Sequence, residues 1–135
     1  MIKRIEHIGI AVKSIEESSQ VFETLLSSPI YKTETVESES VKTAFIQVGE
    51  SKIELLEATN EDSPIAKFLS NHRKGFHHIA FEVDDIDAEL ERLQKKDFKL
   101  IHVSPKGGAD NKRIAFLHPQ STEGMLVELC QERTS

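Results

Sequence analysis

The stretch Ile5-Glu6-His7-Ile8-Gly9-Ile10-Ala11-Val12 is repeated, faintly, by Phe76-His77-His78-Ile79-Ala80-Phe81-Glu82-Val83 later in the same chain. The offset of 71 residues pairs His7 with His78 and also lays Ala44-Phe45-Ile46 on Ala115-Phe116-Leu117. An offset of 74 lays Lys52-Ile53-Glu54-Leu55-Leu56 on Leu126-Val127-Glu128-Leu129-Cys130, pairing Glu54 with Glu128. A duplicated module with one histidine and one glutamate at matching places in each copy predicts a metal site on a pseudo-two-fold axis.

The periodicity around these stretches supplies the elements. Strand alternation over residues 2–12 puts Ile8, Ile10 and Val12 on one face and His7, Gly9 and Ala11 on the other. The apolar face calls for a helix, and the small residues beside the histidine leave room for a ligand. Ser14-Ile15-Glu16-Glu17 has the form of a capping box, followed by a stripe of Ile15, Phe22, Leu25 and Leu26. Asp85 takes the same cap position ahead of Ile86, Leu90 and Leu93. Three strand-like stretches follow in each copy, near 30–37, 41–48 and 52–58, then near 98–104, 112–118 and 124–131. The expected fold is therefore α+β: two βαβββ modules, over 1–60 and 74–132, in a single domain spanning 1–135. Asp62-Ser63-Pro64 opens a connector helix over about 62–71. The modules are expected to form a curved mixed sheet around a central metal-binding cavity. The polar stretch Lys106-Gly107-Gly108-Ala109-Asp110-Asn111-Lys112 reads as an exposed loop.

Composition narrows the function. The chain has 135 residues and a net charge of −6, which speaks against general nucleic-acid binding. No apolar run reaches the roughly 18 residues of a membrane span, and the N-terminal stretch lacks the apolar core of a signal peptide. The one cysteine, Cys130, cannot form an internal disulfide, so a reducing cytoplasmic setting fits. It lies in an apolar run and reads as an inert buried thiol.

Glu54 and Glu128 decide the chemistry. Ile53 and Leu55 share a strand face, as do Val127 and Leu129, so each glutamate points the other way. A carboxylate among such apolar neighbours is costly to bury unless paired or bound to a cation. His7, Glu54, His78 and Glu128 together offer two imidazoles and two carboxylates, a set suited to Co²⁺, Zn²⁺, Mn²⁺, Ni²⁺ or Fe²⁺. His77 should face away from His78 and act structurally; His72, His102 and His118 read as surface or bordering residues.

These residues also carry a family resemblance. The paired βαβββ pattern with its His, Glu, His, Glu set resembles the vicinal-oxygen-chelate superfamily, which includes glyoxalase I and extradiol dioxygenases. Within it the chain is most similar to the methylmalonyl-CoA epimerases, on Asp62-Ser63-Pro64-Ile65-Ala66-Lys67-Phe68, His77-His78-Ile79-Ala80, Phe116-Leu117-His118-Pro119 and Gly124-Met125-Leu126-Val127-Glu128-Leu129. The resemblance implies metal ligands at His7, Glu54, His78 and Glu128, with Co²⁺ the foremost ion, and a cytoplasmic homodimer acting on a small-molecule acyl-CoA. It also implies interconversion of (2R)- and (2S)-methylmalonyl-CoA by removal of the proton alpha to the thioester, through a metal-stabilised enolate. Such chemistry needs two bases; Glu128 is the first choice and Glu54, its repeat partner, the second. Some relatives have a glutamate base where this chain has Thr43, and threonine cannot serve as one. Lys106, Lys112 and Arg113 are the cations placed to meet the phosphates of coenzyme A. Two alternatives share the fold, a glyoxalase I-like lactoylglutathione lyase and a non-catalytic drug-binding protein. A dioxygenase fits less well, because two carboxylates depart from the two-histidine, one-carboxylate iron pattern.

Overall fold

A computed structural model describes residues 1–72 and 75–133, with only the backbone of His72. The first module contains β1 (Ile2–Ala11), α1 (Ile15–Leu26), β2 (Ile30–Val36), β3 (Val41–Val48) and β4 (Ser51–Ala58). The connector helix α2 spans Pro64–His72. The second module contains β5 (Gly75–Val83), α3 (Ile86–Lys95), β6 (Lys106–Gly107), β7 (Lys112–Leu117) and β8 (Val127–Glu132). The protein is mixed α+β, with the βαβββ order read from the repeat present twice.

Contacts divide the chain into two compact units, His7–His77 and a second made of Met1–Glu6 with the chain from His78 on. β1 runs through both. In the first unit the strand order is β2-β3-β4-β1, and in the second it is β1-β5-β8-β7-β6. Each has one parallel pairing, β1 with β4 and β5 with β8, while β2–β3, β3–β4, β6–β7 and β7–β8 are antiparallel.

The local sequence explains the helices. Ser14 accepts the Glu17 N–H at 3.3 Å and starts α1; Asp85 accepts the Ala88 N–H at 3.1 Å and starts α3. Buried Ser63 accepts the Ile65 N–H at 3.1 Å, and Pro64 follows at the first helical position. In the first unit α1 packs through Ile15 and Phe22 on Val12, Ala44 and Leu55, while Ile65 and Phe68 of α2 join a separate cluster with Ala11, Val41 and Leu56. In the second, Ile86, Leu90 and Leu93 of α3 pack on Val83, Ala115, Leu117, Val127 and Leu129.

Four expectations change. Leu25 is 70% exposed, because at 100° per residue it lies about 80° off the line through Ile15, Phe22 and Leu26. The strand expected near 98–104 is absent: Leu100 makes one isolated bridge to Leu117, and β6 has only two residues. Pro105 has no N–H to give a ladder, and the Ile101 and His102 N–H groups converge on one acceptor, Phe116 O, at 2.9 and 3.2 Å. β8 starts at Val127 and not at 124, because Glu123 and Gly124 adopt left-handed φ of 58° and 83° in the preceding turn. Finally, Lys112 is not an exposed loop residue but begins β7, where it is 3% exposed.

Candidate metal centre

Each unit builds the same small constellation. In the first, His7 lies on β1 and Glu54 on β4, the parallel neighbour. Glu54 has Gly9 as its Cα partner on one side and Phe45 of β3 on the other. In the second, His78 lies on β5 and Glu128 on β8, and Glu128 is flanked in the same way by Ala80 and by Phe116 of β7. The small partner leaves space beside each carboxylate, and the phenylalanine walls its other side. Behind each glutamate its apolar neighbours, Leu55 and Leu129, sink into the helix-covered cores.

The four side chains are buried, His7, Glu54 and Glu128 at 5% exposure and His78 at 3%. His7 Nε2 lies 3.3 Å from Glu54 Oε1, and His78 Nε2 lies 3.4 Å from Glu128 Oε1. A charge-assisted N–H···O bond closes to about 2.7–2.9 Å. Adjacent donor atoms on a shell with bonds near 2.1 Å sit about 3.0–3.4 Å apart. Both pairs have the second spacing. Each unit thus prepairs one imidazole nitrogen with one carboxylate oxygen, donor types that a borderline-hard divalent cation takes.

The remaining singled-out residues take other positions. Thr43 is buried, and its hydroxyl donates to Glu34 O at 3.2 Å, so it is a structural group on β3. His77 stacks edge-on against Phe68 of α2 at 4.7 Å, the structural role expected for it. His118 is exposed and accepts the Gln120 N–H at 3.0 Å, capping a short 3₁₀ turn over Pro119–Ser121. The side chain of His72 lies outside the described residues. His102 is half-buried and accepts the Phe116 N–H through Nδ1 at 3.0 Å; burial lowers its pKa below the ordinary histidine value. The Cys130 thiol is fully buried and donates weakly to Phe81 O, and burial pushes its pKa up, as an inert thiol requires. Of the three expected phosphate contacts, Lys112 Nζ is held by Glu132 at 3.0 Å and Arg113 by Asp87 at 3.1 Å, while Lys106 begins β6.

Sequence patterning gave no role to Phe45, Phe116 or Lys32 beside this constellation and read His102 only as a surface or bordering residue. Phe45 and Phe116 occupy matching places in the repeat, and that coincidence was the available signal. Lys32 sets its amine 5.9 Å over the Phe45 ring; nothing in the sequence alone pointed to it. His102 had no repeat partner to mark it out.

Residues 6–116 match the model of the Glyoxalase/Bleomycin resistance protein/Dioxygenase superfamily. The chain belongs to that superfamily. Among relatives, the ethylmalonyl-CoA/methylmalonyl-CoA epimerase of Cereibacter sphaeroides is 38% identical over 97% of this chain and 99% of its own length. The mitochondrial methylmalonyl-CoA epimerase of Homo sapiens is 36% identical over 95% of this chain and 73% of its own. A single-substitution variant of Streptomyces coelicolor methylmalonyl-CoA epimerase, solved with 2-nitronate-propionyl-CoA, superposes with a TM-score of 0.94 at 32% identity, covering 99% of this chain and 97% of that one. No helix among the described residues is long and apolar enough to cross a membrane.

Proposed function

We propose that this chain is a divalent-metal-dependent epimerase that interconverts (2R)- and (2S)-methylmalonyl-CoA. The observation that carries the reading is the double His–Glu arrangement, buried and spaced at 3.3 and 3.4 Å, in a chain of this superfamily whose relatives bear that name. His7, Glu54 and His78 are buried groups with the donor chemistry to hold a metal ion, and Glu128 is proposed as the fourth ligand. Co²⁺ is the foremost ion on this reading.

The bound cation would supply positive charge where the thioester oxygen gains negative charge, lowering the cost of removing the alpha proton. The chain's own residues do the rest. Glu128 takes or returns a proton on one face of the alpha carbon, and Glu54, its repeat partner, serves the other. Gly9 and Ala80, the Cα partners of these glutamates, keep the ground beside them open for substrate. Phe45 and Phe116, the Cα partners on the other side, give each carboxylate an apolar wall there. Lys106, Lys112 and Arg113 are proposed to meet the coenzyme A phosphates, with Lys112 and Arg113 exchanging Glu132 and Asp87 for phosphate oxygens. The wider reading is a single domain built of both units, working as a cytoplasmic homodimer.

Each isomer of methylmalonyl-CoA should epimerise in D₂O with one deuterium entering at the alpha carbon. Chelation should stop the reaction and Co²⁺ should restore it. No wash-in with Co²⁺ present, together with turnover of methylglyoxal plus thiol, would move the assignment to a glyoxalase. Failure to bind any divalent ion, with tight binding of an aromatic drug, would move it to a binding protein.

A further inference from the structure

We propose that the His102 imidazole positions Phe116, and through it the His78–Glu128 pair, standing in for a strand that the second unit lacks. In the first unit, β2 runs along the outer edge of β3, and Lys32 is the ladder partner of Phe45. The equivalent edge of β7 has no such strand, since β6 pairs only Lys106 with Ile114 and Gly107 with Arg113. At Phe116 the gap is closed by one residue acting twice. The His102 N–H donates to Phe116 O at 3.2 Å, beside the Ile101 N–H at 2.9 Å. The His102 ring accepts the Phe116 N–H at 3.0 Å, as a backbone carbonyl would in a ladder.

Phe116 is a sensitive place for this device. It is the Cα partner of Glu128, and its ring stands edge-on to His78 with centroids 5.7 Å apart. The His102 ring lies 5.8 Å from the same phenyl group. A backbone N–H that loses its acceptor in a half-buried edge seeks another, and the strand moves with it. Nδ1 must be the unprotonated nitrogen for this bond, which places the ring proton on Nε2. The burial that lowers the His102 pKa keeps that lone pair available at neutral pH. His102 is thus a positioning residue; nothing in its role requires it to touch substrate.

The inference rests on the proposed site, and its test uses no acyl-CoA, so its failure and the failure of the epimerase reading are distinguishable. Nuclear magnetic resonance on the metal-free full chain follows amide exchange at Phe116 and the ring nitrogens of His78; a Co²⁺ titration follows. His102→Leu should speed exchange at Phe116 about tenfold, the equivalent of one lost hydrogen bond. It should also shift the His78 ring resonances and weaken Co²⁺ binding several-fold. His102→Asn, whose Oδ1 can accept in place of Nδ1, should restore all three toward wild type. Should the leucine variant not fold, His102→Gln, with its acceptor displaced by one carbon, gives the same readouts. Wild-type exchange at Phe116 in a folded variant without the acceptor would overturn the proposal. So would faster exchange there with the His78 resonances and Co²⁺ affinity unchanged.

Discussion

The His7–Glu54 unit and the His78–Glu128 unit agree closely on their ligand side and differ on their outer side. Both set a histidine two residues before a small residue on one strand, a glutamate on the parallel neighbour and a phenylalanine on the next strand. The outer edges part company. The first carries a full strand, with the Tyr31 ring 6.3 Å from Phe45 and the Lys32 amine above it. The second carries a two-residue strand and a histidine side chain. The repeat is strict where donor atoms must be placed to fractions of an ångström. It is loose where a strand edge needs only a hydrogen-bond partner, which a backbone or an imidazole can supply.

The sharpest way to break this comparison is to remove one glutamate at a time. Glu128→Ala should abolish solvent exchange at the alpha carbon, a loss of about a thousandfold or more, with an unchanged far-ultraviolet circular dichroism spectrum. Glu54→Ala should lose activity comparably if the units are equal partners; a much milder loss would make Glu128 the dominant base. Next come the cores. Leu55 and Leu129 are both buried at the same repeat position, so Leu55→Ala and Leu129→Ala should each cost about 2–5 kcal/mol in urea denaturation. A large difference between them would mean that one unit tolerates a cavity the other does not.

The cation tests whether both pairs contribute. Co²⁺ at about 100 times its Kd should stabilise the wild type by about 2.7 kcal/mol, read as a rise in Tm. His7→Ala and His78→Ala should each erase most of that rise; survival of the full rise in either variant would place the ion on one pair alone. A smaller effect is expected at Thr43. Thr43→Val keeps the shape and removes the bond to Glu34 O, so it should cost about 1 kcal/mol and leave kcat unchanged.

The smallest predicted effect is a pH response confined to the second unit. Burial alone would raise the Glu82 pKa, but the Arg4 hydrogen bond and the Arg4 and Lys3 charges outweigh it and hold the carboxyl below its ordinary value. The folded state then binds fewer protons at this group than the unfolded state. Its contribution to stability is present above the ordinary carboxylate pKa and is lost as pH falls through the lowered one. Arg4→Met should flatten that part of the acid limb. The repeat equivalent of Glu82 is Ala11, so no matching response arises from the first unit.

Much of this was legible in the chain itself. The 71- and 74-residue offsets, the alternation around His7, Glu54, His78 and Glu128, and the caps at Ser14 and Asp85 are local signals. A strand's period of two and a helix's first turn are set by neighbouring residues. The errors fell where the outcome depends on a residue distant in sequence. Leu25 fits a helical pattern, yet only the sheet beneath decides which arc of the helix is covered. Residues 98–104 are apolar enough for a strand, but the Ile101 and His102 N–H groups share one acceptor on β7 while those of Phe98 and Lys99 turn to Leu93 O and the Ser121 hydroxyl. Lys112 is polar and follows a glycine-bearing loop, yet Glu132 across the ladder receives its amine.

By itself, the sequence determined the duplicated βαβββ order and singled out four candidate donor side chains, because both follow from side-chain chemistry and short-range periodicity. Only the tertiary structure decided which strand neighbours bring each histidine within 3.4 Å of its glutamate, and which groups back the two phenylalanines. Those depend on register between strands tens of residues apart, which is settled by packing and hydrogen-bond closure across the whole sheet and not by any local stretch of chain.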